Sequence, residues 1–169
     1  MNNFDIIVVG AGPAGLLAAG RAAELGAKVL IMEKMYAPGR KLLITGKGRC
    51  NITNSAEISE FIKHVFPDGR FLRSAFSNYF SEDIIELLQK YDVESTLERG
   101  GRYFPESNKS LDILNALLDW VNKLRVEIKC NQRVEKLLVE NGKITGVKAS
   151  GENFVAQKVI LATGGKSYP

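Results

Sequence analysis

The chain is poor in the residues that make a metal protein or a disulfide scaffold. Its 169 residues include two cysteines and one histidine. Cys50 and Cys130 fit no C-x-x-C or zinc spacing, so they predict neither a structural zinc site nor a disulfide framework. His64 has no companion ligand and reads as a surface residue of a short helix. No apolar run reaches the roughly 20 residues needed to cross a bilayer. The apolar start FDIIVVG has no basic residue before it and lacks the length of a signal-peptide core, so the expected compartment is the cytoplasm and no membrane partner is expected. An excess of charge of one sign is also small. The net charge is +4, from 23 basic and 19 acidic residues. The basic residues are scattered, apart from Arg40-Lys41 and the Lys47/Arg49 pair. That distribution permits an anionic ligand but lacks the basic stripe of a nucleic-acid surface. Low-complexity tracts, repeats and an obvious interdomain linker are missing as well.

What is present begins with Phe4 to Val9, a continuous apolar run typical of a parallel strand buried on both faces. It ends at Gly10. Pro13 stands where a first helical turn starts, a place where its missing N–H costs nothing. The alanine-rich stretch that follows predicts a low-profile helix stopped by Gly26 as a left-handed cap. Residues 28 to 34 predict the next buried strand, completing a βαβ unit of the expected size.

Residues 35–54 lack periodicity and predict a long functional loop. Helices are predicted near 57–65 and 70–79. A clearer one covers SEDIIELLQKY, with Ser81 as N-cap and acidic residues in its first turn. Two short strands should flank Gly100-Gly101. The run SLDILNALLDWVNKL predicts an amphipathic helix with Leu111, Leu114, Leu118 and Val121 on one face. RVEIKC predicts a strand. Asn141-Gly142 signals a type I′ hairpin and Ser150-Gly151 a second turn. These define a three-stranded antiparallel meander ahead of a last buried strand, Lys158 to Ala162. The fold class is therefore α/β, with a parallel sheet, helices and the meander.

The segment GAGPAG places Gly10, Gly12 and Gly15 in G-x-G-x-x-G spacing. Gly10 allows the tight turn off the strand, Gly12 lets a pyrophosphate touch the backbone, and Gly15 lets helix and strand pack closely. The helix N-terminus then offers its free N–H groups and positive dipole end to the phosphates. Glu33 ends the second strand, eighteen residues after Gly15. A carboxylate there can accept both hydroxyls of a ribose and would repel a 2′-phosphate. NADP is thereby disfavoured at this site, and NAD and FAD both remain open.

Beyond Glu33 the chain carries GRKLLITGKGRCNITN at 39–54, GRYFPESNKS at 101–110 and GGKSYP at 164–169. With these motifs it resembles the bacterial flavoproteins related to the bile-acid-pathway flavoprotein, described as aminoacetone oxidase-like or HI0933-like NAD(P)/FAD-dependent oxidoreductases. Two departures stand out. Thr45 replaces a serine and keeps the hydroxyl. Lys47 replaces a glycine, from which we expect no positive φ in the middle of that loop. The resemblance implies a Rossmann-like FAD-binding fold of the glutathione reductase and fumarate reductase flavoprotein type. It assigns Gly10, Gly12, Pro13, Ala14 and Gly15 to the pyrophosphate and Glu33 to the adenosine ribose, with Lys34 also among the cofactor-binding residues. Arg40, Lys41, Thr45, Gly46, Gly48, Asn51 and Thr53 would lie along the pyrophosphate, ribityl chain and flavin. Val134 would meet the adenine through its backbone. Ala162, Thr163 and Gly164 would close over the pyrophosphate. A pyrophosphate carries two charges and a helix dipole supplies about half of one, so Arg40 and Lys41 are a sensible complement. In the alternative reading, GRK is only a solvated basic turn.

Cys50 has no second cysteine placed for a flavin disulfide, so a dithiol mechanism is not expected. Arg102 and Tyr103 either line a substrate cavity or belong to a structural hairpin whose Ser107 or Ser110 caps the next helix. No side chain is a convincing general base, and no catalytic residue is named. Family members run to more than twice this length, so residues 1–169 are expected to be the N-terminal part of an FAD-binding domain. The substrate domain and flavin-capping segment would then lie elsewhere, and this chain alone would bind FAD weakly and self-associate. The leading expectation is the FAD-binding portion of an oxidoreductase with a small-molecule substrate, whose FAD accepts a hydride or electrons from an organic substrate or NAD(P)H and passes them on. The alternatives are a nucleotide-binding module without turnover and an FAD-dependent RNA-modifying flavoprotein.

Overall fold

The computed structural model describes residues 3–165. In chain order the first elements are β1 (Asn3–Val9), α1 (Pro13–Glu24), β2 (Val29–Met32) and α2 (Arg40–Ile44). A 3₁₀ turn at Thr45–Gly48 leads to β3 (Thr53–Asn54), α3 (Ile58–Lys63), α4 (Arg73–Asn78) and α5 (Ser81–Gln89). Then come β4 (Ser95–Glu98), β5 (Arg102–Pro105), α6 (Ser110–Lys123), β6 (Glu127–Lys129), β7 (Val134–Glu140), β8 (Lys143–Ala149) and β9 (Glu152–Leu161). The chain forms two compact units, one of residues 1–42 with 117–169 and one of residues 43–116.

The first unit is built on a six-stranded sheet in the order β6-β2-β1-β9-β8-β7. β6, β2, β1 and β9 run parallel, and β7 and β8 complete the sheet antiparallel. The apolar runs behave as two-sided burial predicts: Ile7, Val8, Leu30 and Ile31 are fully buried. The central crossover is the βαβ unit read from the sequence. Pro13 opens α1, and Gly26 closes it at φ 87° with its N–H on Ala23 O. Leu16, Ala19 and Gly20 form the buried face of α1. A Cβ on Gly20 would run into the ring of Trp120, whose Nε1 donates to Glu24 Oε1 at 3.2 Å.

β9 differs from expectation. The meander's third strand and the last parallel strand are one continuous element. Its first half pairs antiparallel with β8 through Val155 opposite Gly146. From Val155 onward its other edge pairs parallel with β1. A strand has two hydrogen-bonding edges, so changing partner needs no break in the chain. Both hairpin signals hold, with Asn141-Gly142 at φ 50° and 74° and Ser150-Gly151 at 49° and 83°.

The second unit holds a three-stranded antiparallel sheet, β3-β5-β4, with the short helices α3, α4 and α5. Its β4–β5 hairpin turns at Gly100-Gly101 as expected. Phe61, Phe76 and Phe80 pack ring against ring, with centroids 5.1 to 5.5 Å apart. Residues 35–54 are not a featureless loop. They contain α2, the 3₁₀ turn and β3, elements too short to show a period.

Two helix details are corrected. Ser81 is not the N-cap of α5; Phe80 holds that place, and Asp83 Oδ2 accepts its N–H at 2.6 Å. Ser81 is buried, and its Oγ donates to Asn54 O at 3.0 Å. The buried face of α6 is Ile113, Leu114, Leu117, Trp120 and Val121, whereas Leu111 is 51% exposed. Leu111 lies in the first turn of α6, where neighbouring turns constrain it least, so the apolar pattern misjudged the face by about one position.

Candidate functional site

In the first unit a cavity of about 190 Å³ opens where β1, β2 and β9 end. Gly10, Gly12, Pro13, Ala14, Glu33, Lys34, Arg40, Lys41, Ala162, Thr163 and Gly164 line it. All of these were named from the sequence. Met35, Ala37, Gly39 and Gly165 line it too and were not. Gly39 was visible as the first residue of the GRK motif; Met35 and Ala37 carry no chemical signal. From Lys166 on, the GGKSYP motif lies outside the described residues. The cavity sits at the carboxyl ends of parallel strands, the general position for a ligand in an open α/β sheet. Its volume is below the roughly 300–1,000 Å³ of a pocket that encloses a whole small ligand.

The three loop glycines have separate tasks. Gly12 takes an ordinary extended backbone, φ −79° and ψ 179°. A Cβ built on it meets nothing within 4 Å, so the missing side chain leaves open cavity. Gly15 does not line the cavity; a Cβ there would collide with Gly10 O. Gly10 adopts φ 107°, and its Cβ would meet Ala162 O at 2.5 Å. The first and third glycines thus let segments touch, and the second leaves room.

Glu33 is held rigidly. Its Oε2 accepts the N–H of Ala11 at 2.8 Å and its Oε1 accepts that of Met35 at 2.9 Å. Its backbone is tied on both sides, by Glu33 N–H to Lys129 O and Gln132 N–H to Glu33 O. Gly39 N–H donates to Ala11 O at 2.9 Å, which draws the following segment onto the glycine loop. Each carboxylate oxygen keeps a second acceptor site for a hydroxyl donor. Arg40 lies over the Tyr36 ring, 5.0 Å from its centroid, and with Lys34 and Lys41 gives the cavity a cationic side. Val134 does not line the cavity; it packs against the sheet core.

The other predicted residues belong to the second unit. Gly46, Lys47 and Gly48 lie at φ 55°, 57° and 87°, and Cys50 at 61°. The expectation that Lys47 excludes a positive φ is therefore wrong. A left-handed residue with a Cβ costs roughly 1–2 kcal/mol, which surrounding contacts can offset. Thr53 Oγ1 lies 2.7 Å from Ser81 Oγ. Asn54 holds its own turn, with Nδ2 on Gly100 O and Oδ1 taking the Ala56 N–H. Arg49, unassigned from the sequence, pairs with Glu98 and Asn108. In the GRYFP segment, Arg102 Nε donates to Arg99 O and Ser110 Oγ to Leu43 O. Ser107 Oγ accepts the Lys109 N–H. The β4–β5 pairing fits the hairpin part of the reading of that segment, but neither serine contact caps α6: Ser110 Oγ is engaged by Leu43 O and Ser107 Oγ by an N–H ahead of the helix.

Both cysteines are free. Burial raises the Cys50 thiol above its ordinary pKa, against a smaller opposing hydrogen bond from Thr45. Burial and the nearby Glu33 charge raise Cys130. Neither is an activated thiolate. Among the described residues there is no group of three or more His, Cys, Asp or Glu that could hold a metal. Nor is any helix among them long and apolar enough to cross a membrane.

Known proteins give the site its context. The chain is 34% identical over 169 residues to the 3-dehydro-bile acid delta(4,6)-reductase of Clostridium scindens, covering 99% of this chain and 40% of that protein. It is 29% identical over 170 residues to the ribosomal RNA dihydrouridine synthase of Escherichia coli, covering 100% of this chain and 41% of that one. The chain thus spans about two fifths of the length of these curated relatives. A flavocytochrome c3 fumarate reductase structure superposes with a TM-score of 0.65 at 21% identity, over 97% of this chain and 34% of that one. That likeness bears on fold alone and agrees with the Rossmann-like architecture. The model of the HI0933-like protein Rossmann domain matches residues 4–169, and the chain belongs to that family.

Proposed function

We infer that this chain is the FAD-binding portion of a flavin-dependent oxidoreductase. The observation that carries the reading is one cavity holding both halves of a dinucleotide signature: Gly12 open toward the ligand, and Glu33 fixed by two backbone N–H groups. The residues present fit the group. The α1 N-terminus, Arg40 and Lys41 suit a pyrophosphate. Glu33 suits a ribose diol and disfavours a 2′-phosphate. Thr45, Gly46, Gly48, Asn51 and Thr53 are proposed for the ribityl and flavin end, on the strength of the family motif. When bound, FAD supplies two-electron chemistry, and the protein's part is to bind and orient it. For the whole protein the proposed substrate is a small molecule, and the proposed electron donor is an organic substrate or NAD(P)H. The free thiols accord with a cytoplasmic protein. Exposed Phe66, Phe71 and Leu161 accord with self-association.

A second reading, modification of RNA, is favoured by the name of the E. coli relative. Loading the chain with FAD, then measuring visible absorption and displacement by ADP, tests the cofactor. No change in the flavin band or fluorescence on adding protein, at FAD concentrations high enough to detect weak binding, would overturn the first reading. In the full-length protein, with the flavin chemically reduced beforehand, its reoxidation by a steroid enone or by ribosomal RNA separates the two substrate classes.

A further inference from the structure

The Thr45–Cys50 turn has a conformation that its own residues resist. Four of its positions are left-handed, and two of these, Lys47 and Cys50, carry a Cβ. Its backbone contacts are local: Arg49 N–H to Gly46 O at 3.2 Å and to Thr45 O, and Cys50 N–H to Thr45 O at 3.0 Å. The side chain of Arg49 leaves the turn and is gripped from elsewhere in the unit. Its Nη1 donates to Glu98 Oε1 at 2.7 Å and its Nη2 to Glu98 Oε2 at 3.3 Å. Nη1 also donates to Asn108 Oδ1 at 3.0 Å. The guanidinium lies over the Phe104 ring, 4.0 Å from its centroid. Gly46 rests on the same ring, since a Cβ there would stand 3.1 Å from Phe104 Cε1.

A basic residue in a dinucleotide-binding loop invites the role of phosphate ligand. Arg49 is placed otherwise. Glu98 neutralises its charge, and the planar fork is used on a protein carboxylate and a ring face. We propose that Arg49 is a positioning residue: it clamps the Gly46-Lys47-Gly48 turn in its left-handed form through Glu98, Asn108 and Phe104, and does not itself bind the cofactor's phosphates. The proposal rests on the flavin reading for what the turn serves, but not for the clamp itself. Lysine cannot replace the clamp, because an ammonium has neither the fork nor the stacking plane.

The test compares Arg49→Lys and Glu98→Ala with the unaltered chain. Amide hydrogen exchange is measured without ligand, followed by titration with FAD and with ADP. Both variants should speed exchange at the Arg49 and Cys50 amides by about tenfold or more, leaving α1 unchanged. Both should weaken FAD by about tenfold and ADP by less than about twofold, because ADP lacks the part assigned to the turn. Unchanged exchange in both variants would overturn the clamp. So would tighter FAD binding in Glu98→Ala, the result for a phosphate ligand released from its partner. If the unaltered chain binds neither FAD nor ADP, the flavin reading falls, and the exchange rates decide the clamp on their own.

Discussion

The Gly10–Gly15 loop and the Thr45–Cys50 turn both present bare backbone, yet they reach it by different routes. In the first, glycine does the work locally. Gly10 and Gly15 remove the atoms that would collide, and Gly12 keeps a relaxed φ while leaving open space. In the second, two left-handed glycines are interleaved with Lys47 and followed by Cys50. There the shape is imposed by a guanidinium whose partners lie 49 and 59 residues away in sequence. The first loop should therefore fail through its own residues. The second should fail through remote ones.

The sharpest way to break that comparison is inside the first loop. Gly15→Val drives a side chain into the Gly10 carbonyl and should cost more than about 4 kcal/mol, enough to unfold a marginal domain. In Gly12→Val the new Cβ has open space, so its melting temperature should fall far less than that of Gly15→Val, while the side chain fills ligand space and FAD affinity falls by about a hundredfold or more. Thermal melts paired with FAD titration check both. A Gly12→Val protein that keeps full FAD binding would remove the loop from the site.

Glu33→Ala comes next. Loss of charge-assisted ribose hydrogen bonds should weaken FAD by roughly 1–3 kcal/mol. The structure adds a second effect, because Ala11 N–H and Met35 N–H lose their acceptor. The ligand-free protein should lose about 1–2 kcal/mol of stability as well. Glu33→Gln, which keeps one acceptor oxygen, should fall between. Unchanged ADP and FAD affinity in a folded Glu33→Ala protein would place the ribose elsewhere.

These predictions rest on residues that were readable in sequence for a physical reason. β1, the glycine loop, α1, β2 and Glu33 form a local unit in which burial, turn and cap signals sit within thirty residues and agree. Most of the cavity could be named from it and from the GRK and ATG segments. The rest was hidden by distance. Nothing near Arg49 points to Glu98 or Asn108, so its structural role could not be separated from a phosphate-binding one. The continuity of β9 was missed because Ser150-Gly151 is a visible turn, whereas a change of hydrogen-bonding edge at Val155 leaves no mark. Lys47 was misread because a residue's preference was taken for a prohibition; tertiary contacts overrode it.

Lys47→Gly sharpens the second half of the comparison. A glycine at φ 57° relieves the left-handed penalty and adds unfolded-chain entropy, leaving a net gain of about 0.5–1 kcal/mol. The midpoint of urea unfolding should rise slightly at unchanged slope. A loss of stability would mean that the Lys47 side chain contributes more than its strained backbone costs.

The smallest effect concerns Cys50, the last residue of the same turn. The residue is 7% exposed, and burial raises the pKa of its thiol above the ordinary value. The folded state therefore holds the proton to higher pH than the unfolded chain, whose thiol titrates near about 8.5. The associated stability is fully present below that pH and is lost as pH rises through the raised folded value. Stability should thus decline gently from about pH 8.5 upward. Iodoacetamide at pH 8 should alkylate Cys50 about tenfold or more slowly than a free thiol, and more slowly than the less buried Cys130. Urea should bring both to the free-thiol rate. Arg49→Lys should speed labelling of Cys50 alone, because loosening the clamp opens the turn that covers it. Free-thiol reactivity of Cys50 in the unaltered folded protein would show that the turn is already open, and the contrast between a self-shaped loop and a clamped one would not hold.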